Sequence, residues 1–272
     1  MRRLTTHLCA VLFATALVAG SLPAAPAIAD TSLALSASLH PEHLGKAANV
    51  GVSLRIAGST PPAPVRDIDV RYPESLSLLA SGLGIRACSA EILQISGPAG
   101  CSPDSVMGHG SALAVVPFGP KLIGESVRVT IVRAESDDGY LAALLYAQGL
   151  SPVGASVLMS AQLLPSHAPY GGRLEVAVPL IPSLPEAEPV RLVSLRATLG
   201  ARGLTYHERV GGREVAYTPR GISLPDRCPR GGFSFAATLT FEDGTLSSAH
   251  TRVPCPARAA AGAGTRRPAK PH

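Results

Sequence analysis

Hydrophobic side chains alternate with polar or small ones along most of this chain. In the longest such segment, one face of an extended backbone would carry Phe233, Phe235, Ala237, Leu239 and Phe241. The same two-residue period occurs in residues 33–39, 50–56, 68–72, 127–131, 174–178 and 193–199. Because neighbouring side chains of a strand point to opposite faces, this pattern predicts half-buried antiparallel strands.

Short turn signals separate these segments. The dipeptides Asp138-Gly139, Gly211-Gly212 and Asp243-Gly244 accept the backbone angles of tight hairpins. About ten or eleven strands spaced in this way predict an all-β fold, an antiparallel β-sandwich of the immunoglobulin-like type.

The last of these turns also predicts a register. If Asp243 and Gly244 form a two-residue turn, Glu242 pairs with Thr245, and His250 falls on the same face as the phenylalanines.

The strand pattern is interrupted at residues 117–124, which contain a Phe-Gly-Pro-Lys sequence. This interruption predicts two sandwich domains, residues 30–120 and residues 121–255, with one pair of cysteines in each. One continuous larger sandwich is the alternative that the sequence leaves open. The helical candidate at residues 89–95 is too short to carry a fold.

The N-terminus has the layout of a secretory signal peptide. Arg2 and Arg3 precede a nearly apolar stretch at residues 8–20, and Ala27-Ile28-Ala29 forms a small-x-small cleavage site before Asp30. The apolar stretch is shorter than the ~20 residues that span a bilayer, and no later segment reaches that length. We therefore expect residues 1–29 to be removed and the mature chain to be secreted, without a transmembrane segment, to the extracellular space or the cell wall.

Four cysteines, Cys88, Cys101, Cys228 and Cys255, lie after the cleavage site. An even number in an exported chain indicates disulfides, for which three pairings exist. Sequence proximity favours Cys88–Cys101 and Cys228–Cys255. Metal ligation is the rival interpretation, but the chain has no C-x-x-C pair and no histidine at ligand spacing beside a cysteine.

The basic character of the chain comes from its ends. Of the 24 Lys and Arg residues, two lie in the leader and four after residue 255, which leaves 18 against 19 Asp and Glu residues in between. A nucleic-acid-binding protein needs a basic stripe on its folded surface, and this balance argues against one. Residues 256–272 are rich in Ala, Gly, Pro and Arg, which predicts a disordered basic tail.

No motif in the chain assigns a catalytic residue, a cofactor site or a metal site. The chain has no G-x-S-x-G elbow, H-E-x-x-H motif, Walker loop or EF-hand loop. His40 and His43 have a spacing that can hold copper or zinc, although a turn between two strands is the simpler explanation. Asp67 and Asp69 share a strand face, which is more simply the charged solvent face of that strand.

Two cysteine-containing segments resemble those of exported, β-rich actinobacterial proteins of unassigned function. In these proteins a Cys-Pro-x-x-Ser-x-x-Gly segment and a closing hairpin bracketed by cysteines recur. The matching residues here are Cys101-Ser102-Pro103-Asp104-Ser105-Val106-Met107-Gly108 and the hairpin from Cys228 to Cys255, with Ser102 where proline is common. The resemblance implies export and a β-sandwich for most of residues 72–256, and it implies no activity or functional residue.

These observations predict a secreted, non-enzymatic protein with a binding or structural role at the cell envelope or outside the cell. The expected partner is a cell-wall polymer or another envelope protein. The alternative is a secreted hydrolase whose site gathers His109, His207 or His250 with Asp or Glu residues. A third hypothesis is a metal carrier that uses His40 and His43.

Overall fold

The computed structural model describes residues 31–40, 42–58, 62–79, 82–136, 138–181, 188–200 and 203–255. The predicted signal peptide at residues 1–29 and the predicted basic tail at residues 256–272 lie outside the described residues. Within these ranges the protein has no helix that is long and apolar enough to cross a membrane.

The protein is built almost entirely of strands. They are β1 (Ser32–His40), β2 (Asn49–Ala57), β3 (Val65–Pro73), β4 (Ser77–Leu78), β5 (Val106–Phe118), β6 (Lys121–Arg133), β7 (Leu141–Ser151), β8 (Ser156–Pro165), β9 (Tyr170–Ala177), β10 (Arg191–Leu199), β11 (Tyr206–Val210), β12 (Arg213–Tyr217), β13 (Ile222–Ser223), β14 (Phe233–Phe241) and β15 (Leu246–Val253). The helix α1 (Ala90–Ser96) precedes two short 3₁₀ segments, Gly97–Gly100 and Pro103–Ser105. All seven segments with two-residue alternation lie in strands, apart from the single residue at position 178, so the predicted all-β class is confirmed.

Eleven of the strands form one antiparallel sheet. Its order is β1-β2-β10-β5-β6-β7-β8-β9-β3-β14-β15, and the pairs β11–β12 and β4–β13 lie beside it. The sheet curls until its two edge strands, β1 and β15, lie side by side. The Ser247 hydroxyl at this seam donates a hydrogen bond of 3.2 Å to the Thr31 carbonyl. The curled sheet therefore encloses most of its own inner face.

The inner face of this sheet forms the main hydrophobic core. Strand β14 alternates buried and half-buried positions along its whole length. Its Phe233, Phe235 and Phe241 are at most 2% exposed, and they pack in one cluster with Leu39 and Leu54 from β1 and β2. The aromatic side chains thus fill the part of the interior that lies against β14.

The predicted boundary between two domains falls at a hairpin turn. Strands β5 and β6 pair along their whole length up to Phe118 and Lys121, so Gly119 and Pro120 form a two-residue connection. Gly119 has a positive φ of 57°, which suits the first position of such a turn. Strands from both sides of this point belong to the same sheet. Neither a two-domain division nor an immunoglobulin-like sandwich is confirmed.

The Asp243-Gly244 turn is one residue longer than predicted. The Gly244 N–H donates to the Phe241 carbonyl, and the Phe241 N–H donates to the Thr245 carbonyl. Gly244 has a φ of 80°, which gives a three-residue loop instead of a two-residue loop. His250 therefore pairs with Ala236, and the predicted placement of His250 on the face of the phenylalanines is wrong.

Two disulfides join Cys88 to Cys101 and Cys228 to Cys255, the pairings that sequence proximity favours. The first holds α1 against the outside of the sheet, where Leu93 and Val132 are fully buried with Cys88. The Ser89 hydroxyl caps the helix by accepting the Ile92 N–H at 3.3 Å. The short helical segment predicted at residues 89–95 is confirmed.

Candidate functional site

An apolar pocket of about 190 Å³ opens into the interior of the curled sheet. It lies where β3, β6, β8 and β10 begin and where β5, β7 and β9 end, and residues 178–181 form part of its wall. Almost all of its lining consists of Ala, Val, Ile, Leu, Met and Pro side chains. The pocket is somewhat larger than the ~150 Å³ apolar cavity that takes up benzene in an engineered protein.

The pocket exists because small residues occupy inward positions of the central strands. Ala112 and Ala114 point inward from β5, and Ala147 and Gly149 do so from β7. Side chains of this size cannot reach the opposite wall, whereas the phenylalanines of β14 fill the interior beside them. The chain therefore leaves one end of its core open instead of closing it.

Glu125 is the one ionisable residue among the described residues that line the pocket. It lies at an inward position of β6, opposite Ala114 of β5, and is 4% exposed. One carboxylate oxygen accepts the Val153 N–H at 2.8 Å, and the other accepts the Gly154 N–H at 3.4 Å. A carboxylate thus lies within an apolar wall and is held by two backbone donors.

The contacts of Glu125 fix the loop that joins β7 to β8. This loop supplies Val153 and Ala155 to the wall of the pocket. A hydrogen bond of 2.7 Å from the Gly149 N–H to the Ala155 carbonyl closes it. A Cβ at Gly149 would lie 2.5 Å from a Glu125 carboxylate oxygen and 3.1 Å from the Ala155 carbonyl oxygen, so a larger residue here would require the carboxylate or the loop to shift. Glu125 and Gly149 together determine the shape of this side of the pocket.

The histidines of the hydrolase hypothesis lie on three separate strands. His109 is on β5, His207 on β11 and His250 on β15. His207 comes near an acidic residue: its Nδ1 lies 3.5 Å from Oδ1 of Asp104, which also accepts the His207 backbone N–H at 3.0 Å. The adjacent Ser105 is buried and donates its hydroxyl to the Ser102 carbonyl. This arrangement fixes β11 to the segment before β5, and it does not present Ser105 as a nucleophile.

The remaining sequence candidates do not come together as a site. His40 ends β1 and His43 follows in the next turn, both exposed, and the described residues contain no cluster of three or more metal-binding side chains. Asp69 forms ion pairs with Arg71 at 3.0 Å and Arg173 at 3.4 Å. These contacts agree with the charged outer face inferred for this strand.

The pocket was missed at the level of sequence, although a signal for it exists. Glu125 occupies an inward position in a strand whose other inward residues include Val127, Val129 and Ile131. A single acidic residue in an otherwise apolar inward row indicates either a buried polar contact or a binding site. The pairing of this row with Ala112 and Ala114 becomes visible only in the folded sheet.

No family model matches the chain, and no curated protein or solved structure matches it either. We therefore infer the function from the pocket and its chemistry.

Proposed function

We propose that the protein is an exported, non-enzymatic binding protein that holds a small apolar ligand in the pocket of the curled sheet. The observation that supports this proposal is the apolar lining around about 190 Å³ of unfilled interior. Transfer of apolar surface from water into such a pocket stabilises a complex by roughly 25 cal/mol per Å². A polar polymer strand would find few hydrogen-bond partners among these side chains.

Export is the second part of the proposal. It rests on the leader-like N-terminus and on the two disulfides, since disulfides persist mainly in oxidising compartments. We place the protein at the cell wall or in the extracellular space, where an envelope component is the expected source of the ligand. The hydrolase alternative gains no support from histidines that lie on separate strands.

Binding of n-hexanol to the mature, oxidised chain tests the proposal. The Ala112→Leu variant adds three carbon atoms at an inward position of the pocket, and Ser111→Leu adds a leucine on the outer face one residue earlier. We expect calorimetry to detect n-hexanol binding to the wild type and to Ser111→Leu, and none to Ala112→Leu. Because it fills empty space, Ala112→Leu should also raise the unfolding free energy by about 0.5 to 2 kcal/mol without ligand.

Two results would contradict the proposal. One is the absence of n-hexanol binding to the wild type, and the other is equal binding to the wild type and the filled variant. Thermal unfolding of all three proteins checks that each is folded at the temperature of the titration.

A further inference from the structure

The Glu125 carboxylate has no cationic partner among the described residues. The acidic residues that form ion pairs in the described part of the chain are Asp69, Asp104, Glu175 and Glu188. Each oxygen of Glu125 accepts one backbone N–H. A carboxylate offers about four acceptor positions, so roughly half of its capacity is left after these two bonds.

The apolar surroundings of Glu125 make its remaining hydrogen-bond acceptor positions important. Glu125 is 4% exposed and lines a pocket in which every other described residue is apolar or glycine. A charge removed from water without a partner is costly, and an opposite charge with a good hydrogen bond offsets that cost. None of the described residues that line the pocket is cationic, so a bound molecule can supply this charge from within the pocket.

We propose that the pocket selects small apolar molecules that carry one protonated amine, with the ammonium group bound to the Glu125 carboxylate. The inference rests on the proposed function, because it names the class of ligand for the same pocket. The apolar part of the ligand lies against Ala112, Val127 and Val157, and the ammonium donates to the free acceptor positions of Glu125. A ligand with a carboxylate in this position is repelled.

A matched series of three six-carbon ligands tests the selectivity: n-hexylamine, n-hexanol and hexanoate. Each is titrated by calorimetry at neutral pH into the full mature chain with both disulfides formed. The ammonium group of n-hexylamine adds a charge attraction to its hydrogen bond with the carboxylate that the hydroxyl of n-hexanol lacks, so we expect n-hexylamine to bind about tenfold more tightly than n-hexanol. Hexanoate should bind most weakly.

The variant Glu125→Gln tests whether Glu125 is responsible for the selectivity for the amine. It keeps the size of the side chain and removes its charge, so n-hexylamine should lose about tenfold more affinity than n-hexanol. Any change in the loop that Glu125 holds affects both ligands and cancels in this ratio. The matched control is Glu208→Gln, which removes an exposed carboxylate on β11, outside the pocket lining. In this control the affinity for n-hexylamine should equal that of the wild type.

The outcomes separate the two proposals. Equal affinity of the wild type for n-hexylamine and n-hexanol overturns the amine selectivity and leaves the apolar pocket in place. Failure of n-hexanol to bind the wild type, whether or not the other two ligands bind, overturns the proposed function itself. If Glu125→Gln does not fold, the ligand series on the wild type still decides the selectivity, and binding of n-hexylamine to Ala112→Leu as tight as to the wild type overturns its placement in the pocket.

Discussion

Single side chains at inward positions determine which end of the curled sheet is filled. Phe233 and Phe235 are fully buried in the core cluster that also contains Leu39. Ala112 and Ala147 face the pocket instead. A phenylalanine buries roughly 150 Å² or more, so a few such residues decide where volume remains. The pocket is thus a consequence of small residues at particular inward positions of the alternating strands.

Tyr206 is the clearest case of one residue that connects distant segments. It is fully buried, its hydroxyl donates to the Val106 carbonyl, and it accepts the Gly84 N–H at 2.8 Å. Tyr206→Phe removes both of these hydrogen bonds from a buried site, so we expect a loss of about 1–3 kcal/mol in the free energy of unfolding. Urea denaturation measures this loss, and Tyr140→Phe at an exposed tyrosine is the control. An equally small loss of unfolding free energy in both variants would contradict the role assigned to Tyr206.

The same tyrosine predicts a dependence on alkaline pH. Burial raises the pKa of Tyr206 above its ordinary value near 10. Its contribution to stability is complete below about pH 10 and is lost as the pH rises further, because the unfolded chain then ionises first. Between about pH 9 and about pH 11, the wild type should lose more stability than Tyr206→Phe. Parallel loss in the two proteins would contradict the assignment to Tyr206.

The sequence predicts the strands and the positions of the turns. It does not predict the exact register of a turn. The two-residue alternation identifies β14 to the residue, because every inward position is strongly apolar. The Asp243-Gly244 dipeptide fits both a two-residue and a three-residue loop. Here Asp243 accepts the Thr245 N–H and hydroxyl, contacts that accompany the longer loop and shift the partner of His250 by one residue.

The Cys88–Cys101 disulfide holds a small element that has little core of its own. The helix α1 has seven residues and buries Leu93, so the bridge and a few apolar contacts keep it on the sheet. The chain-entropy model gives about 3 kcal/mol for a loop of this length. Cys88→Ala with Cys101→Ala should therefore lower the unfolding free energy by about that amount, as measured by urea denaturation. Hydrogen exchange of α1 should rise more than that of β14.

A result that leaves the exchange of α1 unchanged would contradict the anchoring role of this disulfide. The matched control removes the Cys228–Cys255 pair, which closes the end of the β14–β15 hairpin. In that variant the increase in exchange should be confined to β14, β15 and their neighbours.

The arrangement of the whole sheet could not be read from the sequence. Strand β3 lies between β9 and β14, and β10 lies between β2 and β5. Such pairings join residues 76 to 176 positions apart in sequence, and they depend on which edges meet during folding rather than on local pattern. The predicted boundary between residues 120 and 121 coincides with a Gly-Pro turn inside a long hairpin of this sheet.

The pocket is likewise a property of the complete sheet. The two rows of small residues that form it come from β5 and β7, and β6 lies between them. The curl of the sheet then brings β3 and β10 close enough to enclose the space. The sequence alone shows that Glu125 is unusual in its strand. Only the folded sheet shows that the residues around it are apolar.

A crystal structure of the mature protein soaked with bromobenzene would show whether the pocket takes up an apolar molecule, because anomalous scattering locates the bromine atom. We predict one bromine peak inside the curled sheet, near Ala112, Val127 and Val157, and its loss in Ala112→Leu crystals. An empty pocket in the soaked wild-type crystal, or bromine only on the outer surface, would contradict it.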